Sequence, residues 1–192
     1  MMFSWLENQM KDQIGTFVLL SLVYIISCCL TMGLVMPLQK MLFGSLSINI
    51  GVLFLPHGIR ILAFYYHGWR AIFYLLPASY LMVILSNQIG TSLHWSTPIA
   101  GLLSCYAGFY VASFIIGSQN RFPSVRSWKF LVFAGFLSSL CNGLVLSSIQ
   151  YDDVFITSVV GYIFGDMLGL ITCLLLLMYG FRLFENFNKQ LS

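Results

Sequence analysis

The stretch Phe54-Leu55-Pro56-His57-Gly58-Ile59-Arg60 places a helix breaker, an imidazole and a guanidinium inside a run otherwise apolar enough to cross a bilayer. A charge at membrane depth is costly, from about 2.5 kcal/mol to more than 10 kcal/mol depending on the assay. Such residues face a partner, a water-filled cavity or a function. Pro56 removes a backbone donor and Gly58 permits unusual backbone angles. Together they predict a kink or a short unwound turn in this segment. His57 and Arg60, three apart, fall on one helix face.

The surrounding chain explains why this stretch decides the fold. Of 192 residues, 59% are hydrophobic and only 8% are charged, with mean hydropathy +0.88. A soluble domain carries roughly 25% charged residues. The deficit requires the bilayer to act as solvent for most of the exterior. The pattern predicts an all-α bundle of six spans in a single domain, at about 14–36, 48–66, 71–88, 98–116, 128–148 and 154–179. The first run is too long for a signal-peptide core and lacks a small-residue cleavage site, so it reads as a retained helix. Residues 1–12, with Trp5, Leu6 and Met10, read as interfacial. No stretch between the spans is long enough for a catalytic or DNA-binding output domain.

Charge asymmetry sets the orientation. With the N-terminus inside, the cytoplasmic side holds Lys11, Arg70, Arg121, Arg126, Lys129, Arg182 and Lys189, and the outer side only Lys40. The outer loops carry Asp152 and Asp153, or His94 alone between Asn87 and Thr97. By the positive-inside rule both termini are expected to be cytoplasmic; the expected location is a bacterial inner membrane. The net charge of +3 is a topology signal, not a nucleic-acid footprint. The cysteines Cys28, Cys29, Cys105, Cys141 and Cys173 all fall in apolar segments without C-x-x-C spacing, which reads as buried or lipid-facing thiols. No cofactor or metal site is expected.

Small residues recur at i, i+4 on two spans, Gly135, Ser139, Gly143 and Ser147 on one and Thr157, Gly161, Gly165 and Gly169 on the other, and the fourth span offers Gly101, Ser104, Gly108 and Ala112 on one face. Lipid offers no hydrophobic drive for helix association, so such ridges are expected to pack tightly in the bundle or across a subunit interface. Asp166 is the one acidic residue inside a span, and Asn142 lies at similar depth. Counting from the cytoplasmic ends at 1.5 Å per residue puts Arg60 roughly 10 Å deep, His57 roughly 15 Å and Asp166 roughly 20 Å. An Arg60–Asp166 pair with His57 beside it follows. It reads either as an ion pair that fixes helix register or as a site for a small polar or anionic ligand or a proton. His67 and His94 read as interfacial and loop residues. No nucleophile with a matching base, P-loop or H-E-x-x-H is present, and no enzymatic chemistry is expected.

Phe54-Leu55-Pro56-His57-Gly58-Ile59, followed by Ala63 and Gly68, resembles the Phe-Trp-Pro-Pro-Ala-Gly type segment of the bacterial membrane-associated sensor (MASE-type) family. Gly165-Asp166-Met167-Leu168-Gly169 resembles that family's late span. The resemblance covers about thirty residues and transfers to Pro56, Gly58, Asp166 and Gly169. It implies an integral membrane sensory module acting through a partner protein. The family usually has more spans and a cytoplasmic output domain; His57 replaces a proline or small residue, and Arg60 is a departure. Size and span number also resemble the substrate-capture subunits of energy-coupling-factor transporters. A structural subunit of a larger membrane complex is the third reading.

Overall fold

The computed structural model describes residues 2–43, 51–88, 93–116, 128–150 and 155–191, with the side chains of 2–10, 43, 150 and 188–191 excepted. The fold is all-helical, with six helical rods, the first in two parts, and no strand among the described residues. The first rod comprises α1 (Met2–Leu30), a π-turn at Thr31–Val35 and α2 (Met36–Phe43). Then come α3 (Leu55–His67), α4 (Arg70–Gln88), α5 (Thr97–Ile115), α6 (Trp128–Gln150) and α7 (Phe155–Leu191). Five helices are long and apolar enough to cross a membrane. Their outward faces carry large exposed apolar side chains, among them Ile14, Leu22, Phe114, Leu144 and Phe164. A polytopic membrane protein accounts for this surface. Arg121, Arg126, Asp152 and Asp153, which contribute to the charge asymmetry, lie outside the described residues, as do the side chains of Trp5, Leu6, Met10 and Lys189.

The second expected span is built differently from the sequence reading. Its helix does not kink at Pro56–Gly58. It begins at Leu55, after a non-helical run at Gly51–Phe54. Pro56 sits in the first turn, where its missing N–H would have had no partner anyway. Gly58 lies within the helix, and its use is close approach: an added Cβ would stand 2.7 Å from Cys173 Sγ. Gly68, with φ 56°, closes α3 in the left-handed region, and its N–H is accepted by the Phe64 carbonyl at 2.9 Å. Thirteen helical residues reach only about 20 Å. The four non-helical residues add up to about 13 Å. The two parts together match the roughly 30 Å hydrocarbon layer.

Helix α3 is the hub. It touches α1, α4, α5, α6 and α7. Its Ala63 and Phe64 pack with Tyr24, Cys28, Leu75, Ala78, Leu102 and Cys105, and Ile61 is fully buried. The glycine ridge of α7 receives the unwound run. A Cβ on Gly165 would clash with the Gly51 carbonyl, and one on Gly169 with the Phe54 carbonyl. Phe54 N–H donates to the Gly165 carbonyl at 2.9 Å. Backbone outside a helix is tolerated at membrane depth only where protein or water satisfies it. The α6 ridge packs on α7 as expected: Gly135 lies under Leu170, and Gly143 meets Val159 and Tyr162. Gly108 on α5 is pressed against the Ser138 backbone. Gly161 is only half-buried.

The last helix also differs from its expected extent. It continues to Leu191 rather than ending near residue 179, and Leu175 through Phe187 are exposed along it. Replacing Gly169 or Gly165 with alanine is expected to destabilise the protein by about 1–3 kcal/mol through overpacking against backbone. Gly15→Ala, where the added carbon meets nothing within 4 Å, is expected to be neutral or stabilising by under about 1 kcal/mol. Unfolding of the purified variants in micelles measures both.

Candidate functional site

Helix α3 starts inside the bundle, so its first turns bring polar side chains to depth. His57 is fully buried and Arg60 is 7% exposed. Asp166, also fully buried, lies eleven residues into α7, about 16 Å from its start. That is near mid-membrane for a layer of roughly 30 Å. From α6 come Asn142 and Ser139, both buried.

These groups meet, but not in the pairing read from sequence. One carboxylate oxygen of Asp166, Oδ2, collects three neighbours: His57 Nδ1 at 3.2 Å, Asn142 Nδ2 at 3.0 Å and Ser139 Oγ at 3.3 Å. Arg60 turns the other way. Its guanidinium donates to the Tyr24 hydroxyl at 2.6 Å and lies over the Tyr24 and Phe54 rings, 5.5 Å and 5.8 Å from their centroids. The direct Arg60–Asp166 pair is thus replaced by two separate contacts. The reason is the offset of one helical turn: His57, nearer the start of α3, reaches the level of Asp166 first, and Arg60 falls one turn beyond.

Asn142 joins the two halves. Its Nδ2 donates to Asp166, and its Oδ1 accepts from Ser104 Oγ at 3.4 Å. A Cβ on Gly101 would stand 3.3 Å from Arg60 Nη1 and 3.5 Å from Asn142 Oδ1. Glycine at position 101 therefore lets the guanidinium and the amide approach one another. Two atoms of the cluster remain without a hydrogen-bond partner, Arg60 Nε and Asp166 Oδ1. One is a donor and the other an acceptor, each on a side chain at least nine-tenths buried.

The chemistry available here is binding and proton exchange. His57 Nε2 lies 3.4 Å from the Gly135 carbonyl oxygen while Nδ1 faces Asp166. Both ring nitrogens thus face acceptors, and only a protonated imidazole can donate to both. Cys105 Sγ approaches His57 at 3.7 Å, but at Nδ1, the nitrogen already facing Asp166. A nucleophile relay needs the two ring nitrogens to face nucleophile and carboxylate separately. This arrangement lacks that division. No group of three or more His, Cys, Asp or Glu suited to a metal ion occurs among the described residues.

The residues expected from sequence, His57, Arg60, Asp166 and Asn142, gather in one cluster with Ser139, whose place in the sequence pattern marks it only as a packing residue. Tyr24 and Cys105 were missed. A tyrosine midway along the first span, far from either interface, was the available signal, because a buried phenol needs a partner. His67 and His94 stand apart. His67 packs edge-on to Tyr74 at 5.7 Å, and its partial burial lowers its pKa below the ordinary histidine value. His94 is exposed, with Nδ1 2.7 Å from Ser96 Oγ.

Comparison with known proteins finds no matching family model, no matching curated protein and no matching solved structure.

Removing the hydroxyl that holds the buried guanidinium tests the arrangement. Tyr24→Phe is expected to destabilise the protein by about 1–3 kcal/mol, the range for a hydrogen bond to a charged group or a buried group left unsatisfied. Reversible unfolding in mixed micelles gives the value.

Proposed function

We propose that this chain is a membrane-embedded sensory or small-ligand-binding module that performs no enzymatic chemistry of its own and acts through a partner protein. One observation carries the reading. A fully buried carboxylate at mid-membrane uses one oxygen for three contacts and keeps the other free, beside an arginine with a free donor. Intramembrane ionisable groups are retained chiefly for binding, proton transfer or gating. A small polar or anionic ligand would engage Arg60 and Asn142, and proton exchange would fall to His57 and Asp166. The orientation that fits is both termini inside a bacterial cytoplasmic membrane.

The fold supplies a route for the signal. Helix α3 carries His57 and Arg60 and meets α7 largely through backbone contacts and glycines. A change in charge or occupancy at the cluster alters how α3 seats on α7. From Asp166 to Phe187, α7 is one uninterrupted helix, about 30 Å long. It extends past the bundle into a stretch of exposed side chains. That exposed end is where a partner would read the shift.

A second reading is a substrate-capture subunit of a small-molecule transporter. The discontinuous second span favours it, since broken helices that begin near the midplane form binding sites in many transporters. Uptake of substrate by cells that express the chain with an energising partner would select this reading over sensing.

Calorimetric titration of the purified protein with small carboxylates, inorganic phosphate and amino acids tests the shared element. Saturable binding of at least one class is expected, weakened at least tenfold in Asp166→Asn or Arg60→Gln. A second expectation concerns protons: the thermal midpoint of wild type should vary between pH 5 and 8 more than that of His57→Gln or Asp166→Asn. Identical behaviour of wild type and variants in both measurements contradicts the proposal.

A further inference from the structure

Two hydroxyls near the cluster have no role in the contacts described so far. Ser147, close to the end of α6, and Ser158, in the first turn of α7, are fully buried, and neither Oγ has a hydrogen-bond partner. Serine in a membrane helix commonly bonds back to a carbonyl of its own helix. These two do not. Buried polar groups in proteins are overwhelmingly satisfied, if not by protein then by bound water.

Their positions are related. Helices α6 and α7 run antiparallel, and Gly143 meets Val159 and Tyr162. One turn further toward the connection, Ser147 and Ser158 come to a common level. Along the axes, Ser147 is about 7 Å from Asn142 and Ser158 about 12 Å from Asp166. The next unpartnered polar atom inward is Oδ1 of Asp166 itself. All three lie on helices of one packed pair. On the opposite side of Asp166 the same pair is closed by apolar contact: Leu170, fully buried, fills the notch over Gly135. Among the described residues of α6 and α7, no unpartnered polar side-chain atom lies beyond Asp166 on that side.

We propose that Ser147, Ser158 and the free oxygen of Asp166 mark a file of bound water that hydrates the His57–Asp166 pair from the face where α6 ends and α7 begins, and from that face alone. The proposal deepens the functional reading, on which it rests, by naming the side that supplies protons to the site. By the charge asymmetry this is the extracytoplasmic face. Ser147 and Ser158 act as positioning residues for water, each offering a donor and acceptor. Leu170 and Gly135 form the seal that stops the file from becoming a leak through the membrane.

Cysteine accessibility tests this directly. Ser147→Cys and Ser158→Cys are made singly in a background with Cys28, Cys29, Cys105, Cys141 and Cys173 replaced by alanine, with Leu102→Cys as the dry-core reference. A charged, membrane-impermeant methanethiosulfonate is added to one side or the other of proteoliposomes of known orientation. Both serine positions are expected to react at least tenfold faster than Leu102→Cys from the α6–α7 connection face. From the opposite face they should react no faster than Leu102→Cys. Rates equal to the reference from both faces, or equal and fast from both, overturn the proposal. If the cysteine-free background fails to fold, hydroxyl-radical footprinting of the otherwise unmodified protein decides. Oxidation of Tyr162, beside the file, should fall at least threefold in Ser147→Val/Ser158→Val, and an unchanged rate overturns the proposal. Neither readout depends on a ligand, so a dry file removes the access route while the ligand titration stands or falls separately.

Discussion

The backbone between Gly51 and Phe54 must satisfy its polar groups without a helix and without bulk water, and this constraint organises the molecule. The glycine ridge of α7 resolves it. Removal of side chains at Gly165 and Gly169 lets the two backbones touch, and the Phe54 N–H finds the Gly165 carbonyl. Once that contact is made, the start of α3 is fixed at depth. The first turns of α3 then deliver His57 and Arg60 to the interior rather than to the headgroups. Asp166 lies on the same helix as the glycines, one residue after Gly165, so docking and site formation are one event.

The arrangement also explains how two charges coexist in the bundle. Guanidinium and carboxylate are not in contact. Each has its own partners: Tyr24 and two aromatic faces for Arg60, and His57, Asn142 and Ser139 for Asp166. A tight buried ion pair is a rigid register lock, with little left to bind anything else. Separation through Asn142 and Gly101 instead leaves one donor and one acceptor free within the same cluster. That difference moves the balance from a lock toward a site. The one-sided polar file between α6 and α7 fits the same picture, because a mid-membrane site that exchanges protons needs a connection to one aqueous face and a seal from the other.

Much of this was legible in the residues. Low charge and long apolar runs predict the all-helical membrane bundle, and the third to fifth expected spans match α4, α5 and α6 closely. Polar residues in greasy segments identify His57, Arg60, Asp166 and Asn142 as neighbours. The rest was hidden for physical reasons. Hydropathy reports whether residues 48–66 suit lipid, not where they are helical, so the break expected at Pro56–Gly58 lies instead at 51–54. Proline reads as a kink when it can equally sit in a first turn. The partner of Arg60 depended on a rotation of α1 that places Tyr24 inward, which a span of low amphipathicity does not encode. The length of α7 past Tyr179 is not a matter of hydropathy: no proline interrupts residues 180–191, whereas a hydropathy window reports only where lipid ends.

The pairing of the central groups is best measured by double-mutant cycles in micelles, using His57→Leu with Asp166→Leu and Arg60→Met with Asp166→Leu. Contacting residues couple by about 0.5–3 kcal/mol, whereas separated ones add within about 0.5 kcal/mol. The structure predicts that the coupling of His57 to Asp166 falls in the upper part of that range and exceeds that of Arg60 to Asp166. Additivity of His57 and Asp166, with strong coupling of Arg60 to Asp166, would contradict it.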